Sequence, residues 1–164
     1  MMSTFRRSTI LFQCGALAMV AMLNAPDSRA DNQRLNSSVV ANVYTVQRQA
    51  GCTNGITVDP RLLEAAHWQA LDVLNNRSLD GDTGSDGSTP PVRAANAGFH
   101  GRVAETVAIN PSLAINNLDV INQWYYRPDY LAIMQNCDFT RMGVWSENSL
   151  DRSVLVAMYG SRDG

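Results

Sequence analysis

Residues 78–89 read SLDGDTGSDGST and set Asp80, Asp82 and Asp86 among three glycines. Carboxylates at such short spacing are the raw material of a hard-cation loop. A calcium-binding EF-hand loop needs oxygen ligands at positions one, three and five, a glycine at six and a bidentate Glu at twelve. Counting from Asp80 puts Gly84 at five, Ser85 at six and Pro91 at twelve; counting from Asp82 puts Gly84 at three. Neither register works, and Asp, Gly and Ser are also the residues that turns prefer. The chain's two histidines offer little else. His67 lies among Leu63, Leu71 and Leu74 in a helical pattern, the setting of a partly buried structural histidine. His100 sits in a Gly-flanked connection five residues before Glu105, an odd spacing that would put the two on opposite faces of a strand. No Ser/His/Asp or Cys/His set converges, there is no Gly-rich phosphate loop, and no CxxC spacing suggests zinc.

The elements that would position such groups follow an export leader. Arg6 and Arg7 precede an apolar run from Ile10 to Leu23, and Ser28-Arg29-Ala30 carries small residues where a signal peptidase reads. The expected signal peptide is residues 1–30, by simple secretion in preference to twin-arginine export or lipidation at Cys14. No later stretch is long and apolar enough to span a membrane. Removing Arg6, Arg7, Arg29 and Asp27 leaves ten arginines and fourteen acidic residues, with no lysine anywhere. That mildly acidic balance argues against nucleic acid and anionic lipid surfaces as partners. Cys14 leaves with the leader. Cys52 and Cys137 remain, an even pair in an exported chain, and a disulfide between them is expected. It would close a loop of roughly 85 residues, worth on the order of 4–5 kcal/mol by chain entropy.

Residues 31–164 read as one domain. Val39, Val40, Val43 and Val46 recur at helical spacing, predicting a helix over 36–49 capped by Asn36 or Ser37 and stopped by Gly51. Asp59-Pro60 opens a second helix, to about Asn75-Asn76. Thr89-Pro90-Pro91 opens a short one through Ala95, ended by Gly98. Alternation over 102–109 suits a strand. Pro111 is expected to start a helix with Leu113, Ile115, Leu118, Ile121 and Trp124 on its apolar face. Arg127-Pro128 breaks it, and a short helix runs through Met134. Strands are expected over 140–146 and 152–159, with a hairpin turn at 146–149. Trp68, Trp124, Trp145, Tyr125 and Tyr126 read as core and cleft wall. Helices early and strands late suggest an α+β fold, helices on both faces of a small antiparallel sheet.

In this order the pieces resemble the CAP superfamily, the cysteine-rich secretory, antigen 5 and pathogenesis-related proteins, in its small bacterial form. DPRLLEAAHWQALDVL is similar to the family's second helix, and TGSDGSTPPVRAANAGF to the loop and short helix after its first histidine. VAETVA stands where the family writes Gly-Glu-Asn, WYYRPDYLAIM where it writes Trp and then Ser-Pro-Gly-His-Arg, and FTRMGVW resembles the strand that follows. The resemblance covers nearly all of residues 34–160 and implies an α-β-α sandwich. It also implies a cleft in which two histidines and acidic residues hold a divalent metal such as zinc. Position by position, the first histidine falls at Asp82, the glutamate at Glu105 and the second histidine at Tyr130.

Two carboxylates and a neutral phenol are a poor set for zinc, which favours imidazole and thiolate. Asp82, Glu105 and Tyr130 are therefore the candidate cleft residues, with no tightly held metal or cofactor expected and at most a weakly bound divalent cation. The resulting expectation is a secreted, non-catalytic binding protein of the extracellular space or cell envelope. The resemblance implies a small apolar ligand, lipid or sterol-like, or an extracellular protein partner. Two alternatives stand beside it: a hydrolase with Asp82 and Glu105 as acid/base pair, and a structural envelope protein. Export is checked by intact mass: the secreted protein should begin at Asp31, and one that kept residues 1–30 or a lipid on Cys14 would refute the leader assignment.

Overall fold

The computed structural model describes residues 28–162, in the element order α1 (Ser28–Gln49), β1 (Thr57–Val58), α2 (Pro60–Asn75), α3 (Pro90–Asn96), β2 (Val103–Asn110), α4 (Asn117–Tyr125), α5 (Pro128–Met134), β3 (Arg141–Asn148) and β4 (Ser153–Gly160). The leader expected over 1–30 lies outside the described residues, except that 28–30 open α1. The four strands form one sheet in the order β1-β3-β4-β2. β4 runs antiparallel to both β2 and β3, and the short β1, absent from the sequence expectation, pairs parallel to β3.

Strand alternation builds the two layers of core. Every residue of β4 is buried. Leu155, Ala157 and Tyr159 point to one side, where they join Val39 and Val43 of α1, Trp124 of α4 and Met134 of α5. Val154, Val156 and Met158 point to the other and meet Leu62, Ala66, Ala70 and Val73 of α2 and Ala94 of α3. A strand whose successive side chains alternate faces can be buried throughout only when helices cover both sides. The molecule is the α-β-α sandwich of the α+β class that the sequence implied.

Local chemistry explains where the elements begin and end. Asp59 caps α2 by accepting from Arg61 N, with Pro60 at the first helical position. α1 starts at Ser28, eight residues before the expected 36, so Asn36 and Ser37 lie within the helix instead of capping it. α4 starts later than Pro111. Asn116 accepts from both Leu118 N and Asp119 N, a better cap, while Ser112 Oγ and Asn110 Nδ2 hold the Ala114 carbonyl in a loop. The hairpin turn is also displaced. Ser146, Glu147 and Asn148 stay in the ladder opposite Leu155, Val154 and Ser153, and the turn closes from Ser149 N to Arg152 O at 2.7 Å. Trp124 is core as expected, but Trp68, Tyr125 and Tyr126 lie exposed.

Two contacts lock the layers together. Cys52, just beyond α1, is bonded to Cys137, just before β3, with Cα atoms 5.2 Å apart and a sequence separation of 85. Beside this bridge the buried Gln47 amide donates to the carbonyls of Asn136 and Phe139. On the other face α2 lies against β3 at Gly143, where an added Cβ would stand 2.1 Å from Leu63 N and 2.2 Å from the Leu62 carbonyl carbon. Both are backbone atoms and cannot turn aside. Gly143→Ala should therefore cost at least about 3 kcal/mol in urea unfolding, at the upper end for overpacking. An alanine variant as stable as the parent would show that α2 is not seated there.

Candidate functional site

β2, α3, α5 and the 78–89 loop enclose a cavity of about 580 Å³, and Asp82, Glu105 and Tyr130 all line it. Each arrives by a different route. Glu105 projects from β2 and its side chain is fully buried. Asp82 stands exposed on the loop. Tyr130 is buried on α5 with the Arg127 guanidinium 3.7 Å above its ring. Apolar wall comes from Pro90, Pro91, Val103, Ala104 and Ile133, and Asp129 adds a third carboxylate. Asp129 accepts from Arg127, which holds its carboxyl below the usual range.

The 78–89 loop is a set of turns fastened to α2. Ser85 donates through its backbone N–H and its hydroxyl to the two Asp72 carboxylate oxygens, at 2.6 and 2.7 Å. Gly87 N donates to Gly84 O, Gly84 N to Ser88 O, and Ser88 N to Asp86 Oδ1. Gly87 has φ +78°, a backbone position that favours glycine. The Asp86 carboxyl is thus engaged within the loop itself.

The decisive side chain is one that the sequence reading did not single out. Arg93 of α3 is buried and reaches across the cleft floor. Its Nη2 donates to both Glu105 carboxylate oxygens at 3.0 Å and to the Asp82 carbonyl at 2.6 Å; its Nη1 donates to Ser88 O at 2.8 Å. One guanidinium therefore ties strand, loop and helix. The signal was present in the pattern: Pro90, Arg93, Ala94 and Ala97 follow i, i+3, i+4, i+7 spacing, which places an arginine on the buried stripe of a short helix. Burial pushes the Glu105 carboxyl up, while the Arg93 guanidinium beside it pulls it back down and keeps the ion pair. Burial also raises the Tyr130 phenol.

This floor does not fit a zinc ion. Both Glu105 oxygens already accept from a cation that cannot be deprotonated. Asp82 is exposed, and Tyr130 is a neutral phenol whose ionisation burial opposes. Among the described residues, no three His, Cys, Asp or Glu side chains gather where they could hold a metal. His67 is remote from this cavity. It is half-buried as expected, and its ring also lies against that of Trp145, with centroids 4.3 Å apart, between Glu64 and Glu147.

No protein-family model matches the sequence, and no curated protein matches it. Solved structures do match the fold. An outer surface protein of Borrelia burgdorferi superimposes with a TM-score of 0.67 at 21% identity, over 84% of this chain and 96% of that one. An extracellular SCP-domain protein of Bacillus anthracis gives 0.64 at 10%, over 84% of this chain but only 45% of its own. The structure of NaASP2 with Zn2+ gives 0.56 at 8%, over 78% and 80%. This chain has the CAP-superfamily fold. Similarity at these identities establishes the CAP architecture, and the residues on the cleft floor are this chain's own.

The Arg93–Glu105 pair makes a stability prediction. Arg93→Met leaves a carboxylate buried without its partner, at a cost of about 3–5 kcal/mol, and Arg93→Met with Glu105→Leu should recover most of it. A raised carboxyl stabilises fully below its unfolded value and loses that contribution as pH climbs through its folded value. Without Arg93 the rise is larger, so the single variant should be weaker at pH 8 than at pH 5. Chemical denaturation at both pH values checks this; a pH-independent loss would mean that Glu105 is not the cause.

Proposed function

We propose that the protein is an exported CAP-fold binding protein without catalytic activity, whose ligand occupies the cavity of Asp82, Glu105 and Tyr130. The observation that carries this is the grip of Arg93 on both Glu105 oxygens. A carboxylate held in this way and shielded from solvent is neither a vacant metal ligand nor a base within reach of a substrate proton. This weighs against Asp82 and Glu105 as an acid/base pair. Pro90, Pro91, Val103, Ala104 and Ile133 give a small apolar ligand, lipid or sterol-like, a wall for its body, and Asp82, Thr83, Thr89 and Asp129 give polar partners for a head group. Export is supported by the Cys52–Cys137 bond, which persists in oxidising compartments, and by fold neighbours described as outer surface and extracellular proteins. Among the described residues no helix is long and apolar enough to cross a membrane.

Native mass spectrometry of the exported protein should reveal an apolar adduct that Ile133→Asp removes; an adduct indifferent to Ile133 would place the ligand elsewhere. Calorimetric titration of the metal-free protein with zinc should show no tight site. Asp82→His with Tyr130→His should raise zinc affinity substantially only when Arg93 is replaced as well, because the guanidinium otherwise retains Glu105. Tight zinc binding by the unaltered protein that vanished on Glu105→Ala would overturn this reading.

A further inference from the structure

β2 is an edge strand, so half of its backbone groups have no ladder to join. Register fixes which half. Ser161 N donates to Arg102 O, and the ladder that continues from there sets Ala104 opposite Tyr159, Thr106 opposite Ala157 and Ala108 opposite Leu155. Hydrogen-bonded pairs alternate along an antiparallel ladder, so these even-numbered residues turn their N–H and C=O toward β4. Val103, Glu105 and Val107 turn theirs outward. Val107 shows the direction: its N–H bonds the Tyr130 phenol oxygen, which closes the edge at that point. Among the described residues, no hydrogen bond engages the outward backbone groups of Val103 and Glu105.

These groups face the cavity. Glu105 is 3% exposed as a residue while its side chain is fully buried, so what it shows to solvent is backbone. Val103, Ala104 and Glu105 all line the cavity. Pro90 and Pro91 of α3 flank the edge on one face of the sheet, and Tyr130 and Ile133 of α5 flank it on the other. The opening is a slot with apolar sides, and its back wall alternates N–H and C=O.

We propose that the ligand of this cavity is an N-acyl amino-acid amide, an apolar chain joined to one extended residue that pairs with β2. This rests on the reading of the cavity as the site of an apolar ligand, and it supplies the head group. The residue accepts from Glu105 N–H through its own carbonyl and donates its N–H to a carbonyl of the same edge, as an added strand does. Closure of the edge at Val107 keeps the pairing this short. The acyl chain lies against Pro90, Pro91 and Ile133. A fatty-acid carboxylate would bring negative charge beside Asp82 and Asp129, which line the same cavity. A sterol or alcohol hydroxyl engages only one point of an edge that alternates donors and acceptors.

The test titrates the isotope-labelled exported protein with N-octanoylglycinamide, the ester in which oxygen replaces its acyl N–H, octanol and N-acetylglycinamide. NMR follows the backbone amides and their hydrogen exchange. The octanoyl amide should bind saturably, at least about tenfold more tightly than each of the other three, since the ester sets an oxygen against a carbonyl and the acetyl compound has no tail. It should slow exchange of the Glu105 N–H at least about tenfold. Ile133→Asp should weaken the octanoyl amide and its ester alike, through the tail. If the amide, the ester and octanol bind equally, or the amide binds without slowing Glu105 exchange, the inference falls while the apolar-ligand reading stands. If neither octanol nor an octanoyl compound binds, if the acetyl compound binds as tightly as the octanoyl amide, or if Ile133→Asp changes nothing, that reading falls and the inference with it.

Discussion

The buried ion pair between Arg93 and Glu105 is the constraint on which the cleft depends. A carboxylate inside β2 is costly unless a cation and hydrogen bonds accompany it. Arg93 supplies both: Nη2 also donates to the Asp82 carbonyl and Nη1 to that of Ser88, while its Nε–H is buried without a partner. The same side chain therefore sets the electrostatics of the cavity floor and the path of the loop above it. The guanidinium is a fixed positive charge that the protein itself supplies to the cavity floor. That charge cannot be withdrawn by pH, since a guanidinium stays protonated.

The sandwich makes such a pair tolerable. β4 is covered on both faces, and its neighbours β2 and β3 inherit that burial over most of their length. α3 is a short helix whose inward stripe is Pro90, Arg93 and Ala94, so its small side chains bring the arginine within reach of Glu105. The disulfide and Gln47 fasten α1 to the entry of β3, and Gly143 lets α2 rest directly on that strand. The cavity opens where this packing ends, over β2, with an internally neutralised floor under an apolar wall.

Much of this architecture was legible in the sequence because it rests on short-range rules. Asp59-Pro60 announces α2, Thr89-Pro90-Pro91 announces α3, and the alternation around Glu105 announces β2. Element boundaries were misread where a side chain had two local uses. Asn116 competed with Pro111 to open α4, and residues 146–148 could turn or remain in the ladder. In each case the better hydrogen bond in three dimensions prevailed. β1 was invisible because a two-residue strand has no period, and it exists only because β3 offers an edge to pair with.

By itself the sequence determined the α-β-α layering, from the order of elements, and the pairing of Cys52 with Cys137, from parity; the gathering of Asp82, Glu105 and Tyr130 around one cavity was implied only by the resemblance to the CAP superfamily. Only the tertiary structure decided what that cavity can do. Arg93 lies twelve residues from Glu105, and nothing in their spacing pairs them, because one sits on a helix and the other on a strand. Likewise Val103 and Glu105 turn their backbone groups into the cavity only because β4 pairs with the other side of β2, which no sequence pattern reveals. Local propensity is written along the chain, whereas the satisfaction of buried charge and hydrogen bonds depends on which distant groups the packed layers bring together.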